Sequence, residues 1–234
     1  FDFHGNGKST GTTSYGNYYE EADDICAVVE HINSCGVPGI HGKSAVVGIL
    51  GHSKGASSMF LFGFKYSYLC PPLLIALSAR FWLAREITMR WTEENRQALQ
   101  KTGKFLWRTY GKRPGKGSGA GYKCDSADKG CVKEYWISAQ DLAERSATDM
   151  AVVQALPMHR CFVFNVTGAC DQIVPSDDVW EYDRLIRLAA PDAGRIATSI
   201  VPGASHFWTK LPELHALEQV LLPWLTKTLS KAGL

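Results

Sequence analysis

Ala45-Val46-Val47-Gly48-Ile49-Leu50 runs into Gly51-His52-Ser53-Lys54-Gly55, and Ala56-Ser57-Ser58-Met59-Phe60-Leu61-Phe62-Gly63-Phe64 follows. The first run is short, apolar and β-branched, the composition of a buried strand. The last is apolar nearly all round and opens on small residues, as a helix buried against a sheet does. Between them stands a serine with glycine two residues away on either side. That spacing suits a sharp strand-to-helix turn, where small neighbours let the backbone fold tightly and a substrate approach. Strand, turn and helix in this order predict a nucleophile elbow, with Gly51, His52 and Gly55 around the candidate nucleophile Ser53.

An activated serine needs a base within hydrogen-bond reach, and the base needs a carboxylate to fix its tautomer. Cys161-Phe162-Val163-Phe164-Asn165-Val166 is a strand-like run leading into Thr167-Gly168-Ala169-Cys170-Asp171-Gln172-Ile173-Val174-Pro175. Asp171, just past a strand end, is the acid candidate. Ile196 to Val201 is another short strand-like run, and Pro202-Gly203-Ala204-Ser205-His206-Phe207 follows it. His206 is the base candidate.

In this order and spacing, G-H-S-K-G, G-A-C-D-Q-I-V-P and G-A-S-H-F-W resemble the α/β-hydrolase superfamily. The opening, Phe1-Asp2-Phe3-His4-Gly5-Asn6-Gly7-Lys8-Ser9-Thr10-Gly11, is similar to the D-x-R-G-x-G-x-S segment of the lysophospholipase, monoacylglycerol lipase and cinnamoyl esterase branch, with His4 where arginine is usual. The resemblance implies an α/β-hydrolase fold: a mostly parallel sheet with helices on both faces and a helical cap insertion. It implies a core over 1–78 and 156–234 and a cap or lid over 79–155. It also implies that Phe1 follows the fourth strand, so that the N-terminal strands are missing, together with the loop that supplies one oxyanion donor. The backbone N–H of Lys54 is then the remaining oxyanion candidate.

The reaction implied is cleavage of a small-molecule carboxylic ester, acyl or aryl, through a Ser-His-Asp triad and an acyl-enzyme, with no cofactor and no metal. Two other readings stay open at the sequence level: a ligand receptor of the same fold, and a serine peptidase, for which no acidic anchor for a free amine is identified.

The rest of the chain supports a globular enzyme. Hydrophobic residues make up 45% of 234 positions, enough for a sizeable core, and 25 basic against 23 acidic residues leave a net charge of +2, which implies no charge-driven partner. No internal repeat and no apolar run of about 18 residues is present, which argues against a spanning segment. Tyr18 to Ile32 has the apolar spacing of an amphipathic helix with acids at its start, and Leu73 to Leu77 reads as a strand entered through Pro71-Pro72. Two helical stretches, the second over Ser138 to Leu156, are expected to flank the connector from Gly111 to Gly121. Asp141, Glu144 and Arg145 are expected to face solvent or to hold the cap to the core.

The seven cysteines, Cys26, Cys35, Cys70, Cys124, Cys131, Cys161 and Cys170, lack paired zinc spacing and read as reduced thiols of a cytoplasmic protein. A lid disulfide between Cys124 and Cys131 is the alternative for that pair, and Cys170 reads as a packing residue. Any targeting peptide would lie ahead of Phe1. Gly7-Lys8-Ser9 and Gly42-Lys43-Ser44 lack the leading glycine of a phosphate loop, holding Asp2 and Val37 there, and are rejected as nucleotide sites. Lys101, Lys104, Phe105, Trp107, Arg108, Tyr110, Lys112, Arg113 and Lys116 form a basic and aromatic run, read as a solvated cap face rather than a nucleic-acid site, with peripheral membrane contact through the cap left open. Trp82, Trp91, Trp107 and Trp136 serve either an apolar substrate group or the packing of the cap. His31, His41, His52, His159 and His215 are read as structural or exposed, and Asp177 and Asp178 as helix-start acids. Nothing in the sequence sets an oligomeric state.

Overall fold

The computed structural model describes residues 1–37, 39–42, 44–85, 91–110, 133–190 and 192–234. In chain order its elements are α1 (Tyr18–Cys35), β1 (Gly48–His52), α2 (Lys54–Lys65), β2 (Leu73–Leu77), α3 (Glu93–Thr102), β3 (Lys104–Tyr110), β4 (Lys133–Ser138), α4 (Ala139–Ala147), β5 (Phe162–Gly168), α5 (Asp177–Ala189), β6 (Ile196–Val201) and α6 (Leu211–Ala232). The strands expected at 73–77 and 196–201 lie where the sequence puts them. The first expected strand starts three residues late and runs on to His52, and the helix expected over 18–32 continues to Cys35.

Residues 18–83 and 149–234 form one compact unit. Its sheet is parallel, in the order β1-β2-β5-β6. The inner strands β2 and β5 are buried at every position, which is why they read as unbroken apolar runs rather than as alternations. The outer strands are more open, and Leu50 in β1 is 53% exposed. On one face, Leu217, Val220 and Trp224 of α6 pack with Ile75, Leu77, Phe164 and Val166. On the other, the Asn165 side chain donates to Val179 O of α5 at 3.0 Å, and Gly63 of α2 lies against Leu74 and Leu156. Residues Ala56 to Gly63 of α2 are all buried, and each large apolar side chain among them stabilises the fold by about 2–3 kcal/mol. Because all four strands run the same way, the segments that leave their carboxyl ends gather along one edge of the sheet.

Residues 1–17 and 84–148 form the second unit. Tyr15, Trp91, Phe105 and Ile137 make its core, with Leu99, Trp107, Tyr135 and Leu142 around them. The packing role of Trp91 and Trp107 is therefore evident, whereas Trp136 is 42% exposed. Between the helices α3 and α4 stands an antiparallel ribbon, β3 with β4, that the sequence analysis does not expect. Gly103, in the left-handed conformation at φ 74°, ends α3 and lets the chain turn directly into β3. A register shift between Leu106 and Arg108 breaks the alternation of β3, which hides the period of two that marks a strand. The helix expected over 138–156 is likewise divided, α4 being followed by a 3₁₀ turn over Met150–Ala155.

Asp141 accepts hydrogen bonds from Ser14 Oγ, Tyr15 N and Ser138 N, and Arg145 is buried with its guanidinium on Arg85 O. Of the two roles expected for these charges, Asp141 and Arg145 take the one of holding segments together rather than lying in a solvated face. The 111–121 connector, the Cys124 and Cys131 pair, and Lys43 lie outside the described residues.

Candidate active site

Ser53 stands between β1 and α2 with φ 54° and ψ −120°, a backbone conformation that costs a non-glycine residue about 1–3 kcal/mol. A serine before a helix ordinarily turns its hydroxyl onto the first-turn amides. Here it makes no such cap, and its Oγ lies 3.0 Å from Nε2 of His206. Two surroundings hold the turn. The Ser53 amide donates to Leu77 O at 2.8 Å, and a Cβ on Gly51 would lie 2.6 Å from Ala56 Cα and from Gly55 O. Gly51 is thus required by packing. A Cβ on Gly55 would meet nothing within 4 Å, so packing makes no such demand there.

The other ring nitrogen of His206, Nδ1, lies 2.8 Å from Asp171 Oδ2. An ionised carboxylate only accepts, so Nδ1 carries the proton and Nε2 is left to accept the Ser53 O–H. Asp171 Oδ1 accepts from the amides of Ile173 and Val174, both at 2.8 Å. Burial alone would raise this carboxyl, but the bonds from His206, Val174 and Ile173 outweigh it and hold Asp171 below its usual range. The three candidates Ser53, Asp171 and His206 therefore form one hydrogen-bonded chain, with the His206 and Asp171 side chains 4% and 0% exposed.

His206 is fixed through its loop as well as its ring. Cys170 N donates to Ala204 O at 2.9 Å, and Ser205 N to the buried carboxylate of Glu213 at 3.2 Å. His52 Nε2 donates to the His206 carbonyl at 2.7 Å. Burial pushes the His52 imidazole below its ordinary value, with the bond to that carbonyl working the other way. His52 is thus held at the site, whereas His31, His41, His159 and His215 are exposed, His215 lying against Glu218 and Gln219 on α6. Lys54 opens α2 beside the serine, and its ammonium pairs with Glu21 of α1 at 2.8 Å, 5.0 Å from the centre of the Tyr18 ring.

Sequence reasoning missed several supports. Asp178 is fully buried and accepts from the amides of Phe81 and Trp82 at 2.8 and 3.3 Å, so it pins the loop after β2 rather than merely facing a helix dipole. Arg80 in that loop donates to Ile173 O, while its own carbonyl accepts from Ser57 Oγ and Tyr182 OH. No sequence signal separates these residues from ordinary surface polar groups. Cys170 is exposed rather than packed. Among the described residues Cys26, Cys35, Cys70, Cys161 and Cys170 are free thiols, no group of three His, Cys, Asp or Glu side chains could hold a metal ion, and no helix is long and apolar enough to cross a membrane.

No protein-family model and no curated protein matches the chain. Solved structures do. The esterase Pf2001 of Pyrococcus furiosus superposes with a TM-score of 0.59 at 16% identity, over 97% of this chain and 68% of that one. The monoacylglycerol lipase of Paleococcus ferrophilus gives 0.56 at 15% identity, over 97% and 82%. Mouse α/β hydrolase domain-containing protein 10 gives 0.52 at 15% identity, over 97% and 76%. Identities this low speak for architecture rather than chemistry. With its parallel sheet, covering helices and serine at the strand-to-helix turn, the chain has the α/β-hydrolase fold.

Proposed function

We propose that the protein is a serine hydrolase of carboxylic esters, with Ser53 as nucleophile, His206 as general base and Asp171 as the carboxylate that orients it. The observation that carries this reading is the pair of contacts at 2.8 and 3.0 Å joining Asp171, His206 and a serine held at φ 54°. His206 Nε2 takes the hydroxyl proton as Ser53 Oγ attacks the ester carbonyl. The Lys54 amide stabilises the oxyanion, and the alcohol leaves with the proton. Water then attacks the acyl-enzyme by the same route, releasing the acid and restoring Ser53. The esterase and lipase names of the structural neighbours favour ester substrates over amides.

Fluorophosphonate labelling followed by an ester panel graded in acyl length and aryl character tests the proposal. Labelling and turnover that vanish in Ser53→Ala, with the fold retained, are the expected result. A folded Ser53→Ala protein that turns over esters as the parent does would overturn it.

A further inference from the structure

Among the described residues, three other than glycine have positive φ: Ser53 at 54°, Ser78 at 52° and Trp208 at 52°. Strain at Ser53 is explained by the turn it makes. Ser78 and Trp208 have no such explanation, since glycine would adopt the same backbone without a steric penalty. What glycine lacks is the side chain, and these two side chains meet: the Trp208 indole N–H donates to Ser78 Oγ at 3.3 Å. Ser78 is wholly buried and Trp208 is 6% exposed, so no water competes for the bond.

The position of the bond matters more than its length. The Leu77–Ser78 peptide accepts from the Ser53 amide through its carbonyl and donates to Val166 O through its N–H, both at 2.8 Å. Trp208 stands two residues beyond His206 and belongs to the same buried cluster as Leu77, Val166 and Val201. Ser53 leaves β1 and His206 follows β6, outer strands with β2 and β5 between them. The Trp208–Ser78 bond therefore ties the histidine loop to the same peptide unit that fixes the serine amide.

We infer that Ser78 and Trp208 are a positioning pair that sets the reach from His206 to Ser53, their strained backbones kept because the two side chains are needed face to face. The kinetic part of this inference rests on the ester hydrolase reading; the structural part does not. Neither side chain touches the reacting atoms.

Ser78→Ala removes the hydroxyl, Trp208→Phe keeps an aromatic ring without its N–H, and Ser78→Gly removes the hydroxyl while relieving the backbone. A misplacement of about 1 Å costs about 100-fold in rate, so a loosened histidine is expected to lower kcat about 10-fold with KM unchanged. Amide exchange over 203–209 should quicken in all three variants. The Ser78→Ala/Trp208→Phe double variant should be no slower than the worse single, because both remove one bond. Ser78→Gly separates positioning from stability: its melting temperature should hold or rise while kcat falls. Unchanged exchange over 203–209 in the folded variants overturns the inference whether or not the protein hydrolyses esters, as does a kcat loss confined to variants that melt early. A parent protein that fluorophosphonate does not label defeats the hydrolase reading alone, and the exchange data then judge the pair.

Discussion

Two carboxylates, one in each unit, gather hydrogen bonds in nearly the same way and serve different ends, the Asp171 side chain fully enclosed and Asp141 half-buried. Asp171, in the loop after β5, accepts two backbone amides and one imidazole N–H. Asp141, at the start of α4, accepts the hydroxyls of Ser14 and Ser138 and the amides of Tyr15, Gly16 and Ser138. In both, burial works to raise the carboxyl and the donated bonds prevail, so that each is held below its ordinary value. The difference is the partner. Every donor to Asp141 keeps its proton at any ordinary pH, so that carboxylate can only hold residues 14–16 to α4. One donor to Asp171 is a group that exchanges protons, which makes the same arrangement of bonds useful to a reaction.

The sharpest way to break this contrast is to neutralise each carboxylate in turn. Asp171→Asn should lower ester turnover about 10⁴-fold, as loss of an orienting triad carboxylate does, with a far smaller change in melting temperature. Asp141→Ala should show the reverse pattern: about 2 kcal/mol lost in denaturant unfolding, through the missing cap and the orphaned donors, with fluorophosphonate labelling retained. If Asp141→Ala silenced labelling while leaving stability intact, the two roles would have been assigned backwards.

Asp178 sharpens the comparison, because it is a buried carboxylate whose donors are the amides of Phe81 and Trp82. Asp178→Asn keeps one acceptor oxygen and loses the charge, and should cost about 1 kcal/mol of stability, with turnover little changed. Turnover comparable to that of Asp171→Asn would make Asp178 part of the proton machinery instead.

The smallest expected effect is a dependence on pH. His52 has a folded value below its unfolded one, so it favours the fold fully above the unfolded value of about 6.5 and progressively less as pH falls from there toward the folded value. The depressed carboxylates Asp171 and Asp141 contribute above about 4 and lose that contribution as pH drops through their folded values. Melting temperature should therefore decline first below pH 6.5 and again below 4. His52→Gln, which can still donate to the His206 carbonyl, should erase the first decline, and an unaltered profile would show that His52 is not its source.

Much of this was legible in the sequence because the relevant signals are local. Ser53, Asp171 and His206 each follow a short apolar run, and in a parallel sheet such runs end at one edge. Gly51 marks the tight turn directly. The β3 and β4 ribbon was not legible, since the register shift near Trp107 scrambles the alternation. Asp178 stands in the first turn of α5, as its sequence context leads one to expect, but its second role gives no signal: an acid at a helix start looks the same whether it faces water or two buried amides. His52 had no visible partner because the His206 carbonyl it binds lies 154 positions away. Ser78 and Trp208 give no sign at all, since a strained φ leaves no mark when the residue is not glycine.

Ser53 and His206 are 153 positions apart in the chain, and Asp171 and His206 are 35. Contacts of such long range form late in folding, after the chain has lost the freedom that local helices leave intact. A chain in which β6 has not yet docked on β5 can be rich in helix and still hold no assembled site. In a refolding experiment, recovery of fluorophosphonate reactivity would lag behind the helical signal and mark the moment at which the last strand closes the sheet.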